Sequence, residues 1–385
     1  MPLPKIMTVY GTRPEAIKVA PVITALEKDE RFESVAVSTG QHREMLEQVN
    51  TMFGIKPKLD LHLMKPGQSL NEIVSRALMG LDEIIDAEQP DVIISQGDTS
   101  TAMAAALAGF HRGVKIVHLE AGLRTGDIHS PFPEEANRKL IGQVTELHLA
   151  PTAGSMENLR RENVRSKDIA VTGNTVIDAL LEAASWDTEF EDPAVQEAAQ
   201  SAKRLVVVTT HRRENLEAMK EIGGAVKDLA ESYPDINFVL PLHLNPKVRE
   251  AVLPEVESLP NVIITDPLPY DQFTKLLDRA TIILTDSGGV QEEAPALGKP
   301  VLVMRQNTER PEAVVAGTVK LVGTNRSLIV AEAKLLLDDS AAYEAMANAV
   351  NPYGDGKAAE RAVAAIAELL GVGERLPDFA PEIES

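Results

Sequence analysis

Two successive series of short Val- and Ile-rich runs, separated by longer stretches of helical period, constrain the fold of this 385-residue chain more than any other feature. Such runs are typical of strands buried on both faces of a parallel sheet, and the amphipathic stretches between them are typical of the crossover helices of βαβ units. Because a chain of this length exceeds one ordinary core, we predict an α/β protein with two Rossmann-like parallel-sheet domains.

Each predicted strand is short and apolar, and most are followed by residues that favour turns. The first series predicts strands at Lys5–Tyr10, Ser34–Thr39, Asp91–Ser95, Lys115–Leu119, Leu147–Ala150 and Ile169–Thr172. The second series predicts strands at Leu205–Thr209, Asn237–Leu242, Val262–Thr265, Thr281–Thr285 and Val301–Met304.

Between the two series lies Ala183–Lys203, an acidic segment without a strand pattern that predicts a helix and a linker. We place the domain boundary near residue 180, with an N-terminal domain at 1–180 and a C-terminal domain at 181–356. An Ala-rich helix is predicted from about 357 to 370, and the segment 357–385 could pack back on the first domain. Residues 377–385 are expected to fray.

Composition narrows the functional class. The formal net charge of −20 works against binding to nucleic acid or anionic membranes, since both depend on Lys and Arg neutralising phosphate. Cysteine is absent, which excludes disulfides, thiol nucleophiles and Cys-ligated metals. No stretch approaches the ~20 apolar residues of a membrane-spanning helix, and a strand pattern begins within about five residues of the start. We therefore expect a cytoplasmic protein without a secretory leader.

Residues that could bind an anion follow the first predicted strand. Gly11 permits a tight turn, and Pro14 suits the first turn of the next helix. Arg13 and Lys18 would then lie near the positive end of that helix, where they could bind a diphosphate. The alternative is a plain turn with solvated charges, and spacing alone does not decide between the two.

Carboxylates follow later strands of the first domain. Asp98 and Glu120 come directly after predicted strands, and Glu134 begins a helix one turn before Arg138. Because ligands bind beyond the carboxyl ends of parallel strands, we expect the three acids to share one cleft. Carboxylates beside cations suit proton transfer at carbon, since crowding raises one pKa while an Arg lowers another. For the pair Glu134 and Glu135 taken alone, helix capping is the simpler interpretation.

The second domain offers groups for a nucleoside diphosphate. His211, followed by two arginines, comes after one strand, and Ser287-Gly288-Gly289 comes after another and opens an acidic helix. The backbone N–H groups of the Ser-Gly-Gly turn can bind phosphate, and Glu293 can accept both ribose hydroxyls. Arg310 adds a further cation.

The sequence predicts a reaction without a metal or a redox cofactor. The eight histidines are scattered, with no His/Asp cluster at ligand spacing, and no Gly-x-Gly-x-x-Gly follows a strand. His243 also follows a predicted strand, but a lone histidine is more often a structural hydrogen-bonding residue.

Six motifs occur in order along almost the whole chain: GTRPEAIK at 11–18, GDT at 97–99, EAGLR at 120–124, PEEANR at 133–138, THRREN at 210–215 and DSGGVQEEAP at 286–295. With this combination the chain resembles the non-hydrolysing UDP-N-acetylglucosamine 2-epimerases. The resemblance implies a GT-B architecture, with two Rossmann-like domains facing an interdomain cleft, and a cytoplasmic homodimer. It also implies a cofactor-free isomerase of UDP-N-acetylglucosamine and UDP-N-acetylmannosamine, which supplies N-acetylmannosamine units for cell-surface polysaccharide.

The family mechanism begins with removal of the C2 proton and anti elimination of UDP to 2-acetamidoglucal. Re-addition of UDP follows, with protonation of C2 from the opposite face. The residues that match the family's catalytic groups are Asp98, Glu120, Glu134 and His211. The residues that resemble its substrate-binding positions are Arg13, Lys18, Arg138, Phe273, Ser287, Gly288, Gly289, Glu293 and Arg310.

Some bacterial members bind a second UDP-N-acetylglucosamine as an activator. The residues that resemble this second site are Gln41, His42, Gln68 and His243. Gly67 and Glu44 depart from the pattern of regulated members, which argues against activation in this chain.

Three alternatives remain at the level of sequence: a hydrolysing epimerase, a GT-B glycosyltransferase, and a nucleotide-sugar sensor without turnover. The trio of acids favours epimerisation over the last two. The hydrolysing reaction is distinguished only by its products, free N-acetylmannosamine and UDP.

Overall fold

The computed structural model describes residues 2–40, 43–63, 65 and 67–381. Contacts between residues divide the chain into two compact units. Unit 1 contains the described residues up to Ala179 together with Tyr353–Ala380, and unit 2 contains Leu180–Pro352. Unit 1 is thus discontinuous, because the chain returns to it after unit 2.

The core of unit 1 is a parallel sheet, in which the described residues form seven strands. In chain order they are β1 (Lys5–Tyr10), β2 (Glu33–Ser38), β3 (Leu59–Asp60), β4 (Val92–Gln96), β5 (Lys115–Leu119), β6 (Leu147–Ala150) and β7 (Ile169–Val171). Their order across the sheet is β3-β2-β1-β4-β5-β6-β7, and every pairing is parallel. All five residues of β4 are buried, which explains the continuous apolar run in the sequence.

Helices connect these strands and pack on the sheet. In the described part of unit 1 they are α1 (Arg13–Lys28), α2 (Arg43–Met52), α3 (Leu70–Glu88), α4 (Ser100–His111), α5 (Glu134–Val144), α6 (Ala153–Arg161) and α7 (Thr175–Ala184), which crosses the division between the units. Side-chain caps explain where two of them begin, because Thr12 and Thr99 accept hydrogen bonds from backbone N–H groups in the first turns of α1 and α4. Apolar residues such as Met7, Ile93 and Leu81 join the sheet to α3 and α4 in one core.

Unit 2 repeats this plan with six parallel strands among its described residues. They are β8 (Leu205–Thr209), β9 (Asn237–Pro241), β10 (Val262–Thr265), β11 (Ile282–Thr285), β12 (Val301–Val303) and β13 (Val319–Leu321), in the order β10-β9-β8-β11-β12-β13. Its described helices are α8 (Pro193–Gln200), α9 (Met219–Ser232), α10 (Pro246–Val256), α11 (Tyr270–Arg279), α12 (Gly288–Glu293), α13 (Pro311–Val315), α14 (Arg326–Asp338) and α15 (Ser340–Ala347). Val206, Phe238 and Leu284 lie at the centre of its core and are fully or almost fully buried.

The C-terminal segment belongs to unit 1. Helix α16 (Ala358–Leu369) packs against α1. Beyond it, the buried Phe379 donates its N–H to the carbonyl of Val171 at 2.7 Å, and the Asp378 carboxylate accepts the Val171 N–H at 2.9 Å. The expectation that this segment frays is therefore wrong for these residues, because they continue the hydrogen bonding at the edge of β7.

Every predicted strand is present, with each end within one residue of its predicted position. The two strands that were not predicted, β3 and β13, are short and lie at the edges of the sheets. None of the described helices combines the length and apolar content that crossing a membrane would demand.

Candidate active site

Strand order reverses beside the first strand of each sheet. The reversal lies between β1 and β4 in unit 1 and between β8 and β11 in unit 2. Ligands of doubly wound folds bind beyond the carboxyl ends of the strands at such a point. The turns after these four strands carry Arg13, Asp98, His211 and Ser287, so they are the natural place to examine each unit for chemistry.

The turn after β1 is held by the buried carboxylate of Glu15. Its Oε2 accepts the N–H groups of Gly11 at 2.8 Å and Thr12 at 2.7 Å, and its Oε1 accepts the Thr99 hydroxyl at 2.6 Å. Burial raises the pKa of Glu15 above its ordinary value, although these hydrogen bonds oppose the shift. Glu15 thereby ties the turn after β1 to the start of α4, beside Asp98.

Glu120 lies directly after β5 and is surrounded by donors. The Lys18 ammonium lies 2.5 Å from its Oε1 and 2.7 Å from its Oε2, Gln96 Nε2 donates to Oε2 at 2.6 Å, and Asn174 Nδ2 donates to Oε1 at 3.3 Å. A cation and two amides together stabilise the charged carboxylate and fix its orientation. Only a tenth of the Glu120 side chain is exposed, so this charge is largely withdrawn from solvent.

The backbone at Glu120 is unusual, with a φ of +66°. Gly122 follows with a φ of +93°, and a Cβ there would lie 2.3 Å from the carbonyl oxygen of Ser155. Only glycine fits this position, so the turn that carries Glu120 is fixed by close packing against α6.

Asp98 is held by groups from α5. Its Oδ2 accepts the Arg138 guanidinium, with Nε at 2.9 Å and Nη2 at 2.7 Å, and its carbonyl accepts Asn137 Nδ2 at 2.9 Å. Arg138 also contacts the fully buried Glu135 at 3.1 Å. The structure therefore places Arg138, predicted to bind substrate, on the catalytic candidate Asp98.

The turn of Asp98 also lies beside Glu120. A Cβ on Gly97 would be 3.8 Å from Glu120 Oε2, and Gln96 bonds that same oxygen. Glu134 begins α5, one turn before Arg138. Unit 1 thus gathers Asp98 and Glu120 beside one another and links Asp98 to the helix that Glu134 opens.

Arg13 and Glu134 have no hydrogen-bond or ion-pair partner within the described residues. Both are half-buried. No side chain caps the start of α5, so capping does not account for Glu134. Both charged groups are therefore available to bind a ligand. The alternative, in which they are plain solvated surface charges, does not require this.

Two buried histidines lie side by side on β5 and β6, where His118 pairs with His148 in the strand register. Burial lowers the pKa of His118 to about 4 and that of His148 to about 3, so both rings are neutral. His118 Nε2 lies 2.7 Å from the carbonyl of Gly97, which only accepts, so Nε2 carries the ring proton. His118 thus holds the turn that bears Asp98.

In unit 2 a single carboxylate organises the strand ends. Asp286, with no exposed surface, accepts the Thr210 hydroxyl at 2.9 Å, the N–H groups of His211 at 3.0 Å and Arg212 at 2.9 Å, and Asn215 Nδ2 at 3.2 Å. Its Oδ1 also lies 3.3 Å from His211 Nδ1. Burial by itself would raise the pKa of Asp286, but the bonds from His211 and Arg212 outweigh it and hold the pKa below its ordinary value.

Two guanidinium groups border the Ser-Gly-Gly turn. A Cβ on Gly288 would lie 3.1 Å from Arg310 Nη1 and 3.4 Å from Arg212 Nη2. Arg310 Nε donates to the nearly buried Glu292 at 2.7 Å, and Arg212 Nε donates to the Asp286 carbonyl at 3.2 Å. Fixed cations suit a diphosphate. The Ser287 N–H already donates to Thr285 Oγ1 at 3.0 Å, and Gly288 is buried. Gly289 is exposed, while Ser287 and Glu293 are half-buried.

A pocket opens next to this turn within unit 2. Its lining residues are Thr209, Thr210, His211, Pro241, His243, Pro267, Leu268 and Phe273. The rings of His211 and His243 stack, with their centroids 5.8 Å apart and an angle of 23° between the ring planes. The largely apolar lining suits a planar ring, and Phe273, predicted to lie near the uracil, is part of it.

The residues predicted for a second ligand site are divided between the units. Gln41 and His42 lie outside the described residues. Gln68, in unit 1, accepts the Lys65 N–H at 2.6 Å, and His243 belongs to the pocket of unit 2. Within the described ranges, no group of three or more His, Asp or Glu side chains is arranged to hold a metal ion.

The sequence of the whole chain decides the family. The family model for UDP-N-acetylglucosamine 2-epimerase matches residues 24–367. The chain belongs to the UDP-N-acetylglucosamine 2-epimerase family. The resemblance inferred from the six motifs is thereby confirmed, and so is the expectation that the protein is an enzyme.

Relatives of this epimerase family match at full length. A UDP-N-acetylglucosamine 2-epimerase of Escherichia coli O157:H7 is 51% identical over 368 residues, covering 94% of this chain and 98% of the relative. The crystal structure of UDP-GlcNAc 2-epimerase from Neisseria meningitidis bound to UDP-GlcNAc has a TM-score of 0.81 at 45% identity, covering 95% of this chain and 99% of that one. The crystal structure of the Methanocaldococcus jannaschii UDP-GlcNAc 2-epimerase in complex with UDP-GlcNAc and UDP has a TM-score of 0.74 at 32% identity. The match covers 96% of this chain and 100% of that one. These likenesses confirm the predicted class, an α/β fold with two parallel-sheet domains of the GT-B type.

Several residues that organise the site of this epimerase were not predicted from its sequence. Gln96 and Asn174 hold Glu120, His118 holds the turn of Asp98, and Asp286 orders the turn of His211. Gln96 ends β4, and both Asn174 and Asp286 follow strands, so they share with Asp98 the strand-end position that indicates a site residue. His118 lies inside β5, where the sequence offers no such signal.

Proposed function

We propose that the protein inverts C2 of the hexose in UDP-N-acetylglucosamine, giving UDP-N-acetylmannosamine reversibly and without hydrolysis. The observation that carries this proposal is the Glu120 carboxylate, which Lys18, Gln96 and Asn174 hold in one orientation beside the turn of Asp98. A base that abstracts a proton from carbon must be charged, oriented and largely shielded from water, and Glu120 meets these conditions.

The proposed reaction has two balanced halves. A carboxylate removes the C2 proton while the C1–O bond to UDP breaks, the electron pair leaves on the phosphate oxygen, and a C1=C2 double bond forms in 2-acetamidoglucal. The same UDP oxygen then bonds C1 again while a proton reaches C2 on the opposite face. We assign the proton transfers to Asp98, Glu120 and Glu134 as a group, since two faces of one carbon require more than one acid.

Unit 2 supplies the groups proposed to bind UDP. Arg310 and the Ser287-Gly288-Gly289 turn would bind the diphosphate, His211 would lie beside it, Glu293 would accept ribose hydroxyls, and Phe273 would contact the uracil. The relatives whose structures hold UDP-GlcNAc or UDP support these ligands. The proposal requires that Arg13 and the acids of unit 1 act on the same substrate molecule. We further propose a cytoplasmic homodimer that supplies N-acetylmannosamine units for cell-surface polysaccharide.

Incubation with UDP-N-acetylglucosamine in deuterated water tests the reaction. We expect the proton NMR signal of H2 to disappear from both sugar nucleotides as they approach equilibrium, with no free hexosamine. Free N-acetylmannosamine accumulating with an equal amount of UDP would identify a hydrolysing enzyme instead. Retention of the C2 hydrogen would exclude proton transfer at that carbon, as expected for a glycosyltransferase or a sensor.

A further inference from the structure

The buried Asp286 contacts more than the backbone of its own turn. A turn needs only neutral acceptors for its N–H groups, whereas a carboxylate without exposed surface carries a charge that is costly to bury. Two of its side-chain partners, Thr210 and His211, line the pocket of unit 2. His211 is the ionisable one, and its Nδ1 lies 3.3 Å from Asp286 Oδ1. The position of this contact points to a role in the chemistry of His211.

The contact favours one protonation pattern of the imidazole. A carboxylate can only accept a hydrogen bond, so His211 Nδ1 must carry a proton whenever it bonds Asp286. Nε2 is then the nitrogen left to contact a ligand, and 41% of the His211 side chain is exposed. The stacked ring of His243 restrains the imidazole plane.

We propose that Asp286 is a positioning residue that keeps a proton on Nδ1 of His211 and directs Nε2 to the diphosphate of the substrate. This inference rests on the proposed function, in which UDP is the leaving group. When His211 carries both protons, Nε2–H donates a hydrogen bond to a phosphate oxygen and Asp286 balances the imidazolium charge. Such a preorganised donor stabilises the charge that develops on UDP as the C1–O bond breaks.

The tautomer of His211 tests the inference without any substrate. We expect 15N NMR of the protein labelled at histidine to show neutral His211 with its proton on Nδ1, and Asp286→Asn to move the population toward the Nε2–H form. The His211→Gln variant identifies the signals of this ring among the eight histidines. A wild-type ring protonated on Nε2, or an unchanged tautomer in Asp286→Asn, would overturn the inference. The wild-type measurement stands even if the Asp286 variant does not fold.

A double-mutant cycle separates positioning from general support of the fold. We expect Asp286→Asn to lower kcat about 10-fold with little change in KM, and His211→Gln to lower it by at least as much. If Asp286 acts through His211, the double variant has nearly the kcat of His211→Gln alone. Losses that multiply would show that Asp286 acts independently of His211 and would refute the positioning role.

Asn215→Ala is the matched control, because it removes another donor to Asp286 and leaves the His211 contact in place. We expect the tautomer of His211 to be unchanged and kcat to stay within about threefold of wild type. The same tautomer change as in Asp286→Asn would mean that any loosening of the turn produces it, against the proposal. If the tautomer responds as expected but wild-type protein never exchanges the C2 hydrogen, the proposed function fails while the Asp286–His211 relation holds.

Discussion

The sheet of unit 2 repeats the order of the first six strands of unit 1, but the two units build their strand-end sites in opposite ways. In unit 1, side chains pair with side chains: the Lys18 ammonium holds Glu120, and the Arg138 guanidinium holds Asp98. In unit 2, the buried carboxylate of Asp286 contacts backbone N–H groups and an imidazole, while cations border the turn.

This difference shows that chemistry lies in the residues at the strand ends and not in the sheet that presents them. Carboxylates paired with cations are held in one orientation, as proton transfer at carbon requires. A turn of backbone donors flanked by arginines suits a fixed anion. We therefore infer that unit 1 performs the reaction and unit 2 binds the nucleotide, and variants in each should affect different constants.

The largest expected effect comes from Glu120→Gln. Glutamine preserves the shape of the side chain but cannot take a proton from carbon, so we expect kcat to fall at least ~100-fold. The affinity for UDP, measured by calorimetry, should change little if nucleotide binding belongs to unit 2. Glu134→Gln should behave in the same way.

Glu162→Gln is the control for Glu120→Gln. Glu162 pairs with Arg124 in unit 1, with Nη2–Oε2 at 2.7 Å, but it lies outside the proposed site. We expect its kcat to remain within about threefold of wild type. Turnover like that of wild type in both Glu120→Gln and Glu134→Gln would remove these acids from the mechanism.

Lys18→Met distinguishes two roles for the cation. The sequence predicts that Lys18 binds the diphosphate, whereas the structure places its ammonium on Glu120. If orientation of Glu120 is its main role, kcat should fall about 30-fold while the dissociation constant of UDP changes less than about twofold. Lys28→Met, at the exposed C-terminal end of the same helix, is the control. A weakened affinity for UDP with unchanged kcat would favour the diphosphate role.

Most of the fold could be predicted from the sequence because its strands are buried on both faces. Apolar runs such as those of β1 and β8 are shorter than a typical helix and are bounded by turn residues, so their positions could be predicted within one residue. Strand β13 could not be predicted because it is only three residues long and half-exposed, with Lys320 at its centre. Phe379 was missed because one aromatic residue in a Pro-rich tail has no periodicity, although it pairs with β7.

The site was less predictable than the fold. Glu120 could be selected because it follows a strand, but its partners Lys18 and Asn174 come from positions 102 and 54 residues away. Nothing in the spacing of the chain indicates that Lys18 pairs with a carboxylate instead of a ligand. The contact of Asp286 with His211 could not be predicted for the same reason. The two turns come together because β8 pairs with β11 in parallel.

Arg310→Lys tests the nucleotide role of unit 2. Lysine keeps the charge and can still pair with Glu292, but it lacks the planar fork that binds phosphate with two hydrogen bonds. We expect the dissociation constant of UDP to rise about 10-fold, with kcat at saturating substrate within about threefold of wild type. Arg326→Lys, whose guanidinium pairs with Asp228 near the surface, should leave both constants unchanged. A loss confined to kcat would place Arg310 in the reaction rather than in nucleotide binding.

The smallest expected effect concerns stability in acid. His118 and His148, with pKa values lowered to about 4 and about 3, are neutral in the folded state, so their stabilisation is complete above the unfolded pKa and is lost as the pH falls. Stability is lost over a pH range that begins near 6.5 and extends down to the pKa values of the two histidines in the folded state. Asp286, whose pKa is lowered from 3.8, loses its contribution only in stronger acid. Unit 1 should therefore weaken first on mild acidification, although two carboxyl groups of unit 1 act in the opposite direction: burial raises the pKa of Asp178 to about 6 and raises that of Glu15.

A variant isolates the histidine contribution from that of Asp178. Between pH 7 and pH 5.5, each histidine should cost about 1 kcal/mol of stability, measured by hydrogen exchange of peptides from β5 and β6. His148→Gln should reduce the loss by about that amount, whereas His243→Gln, at an exposed position in unit 2, should not. An equal pH dependence in wild type and His148→Gln would show that His148 is not the buried neutral group described, and a faster loss of protection in β8 and β11 would reverse the proposed order of the two units.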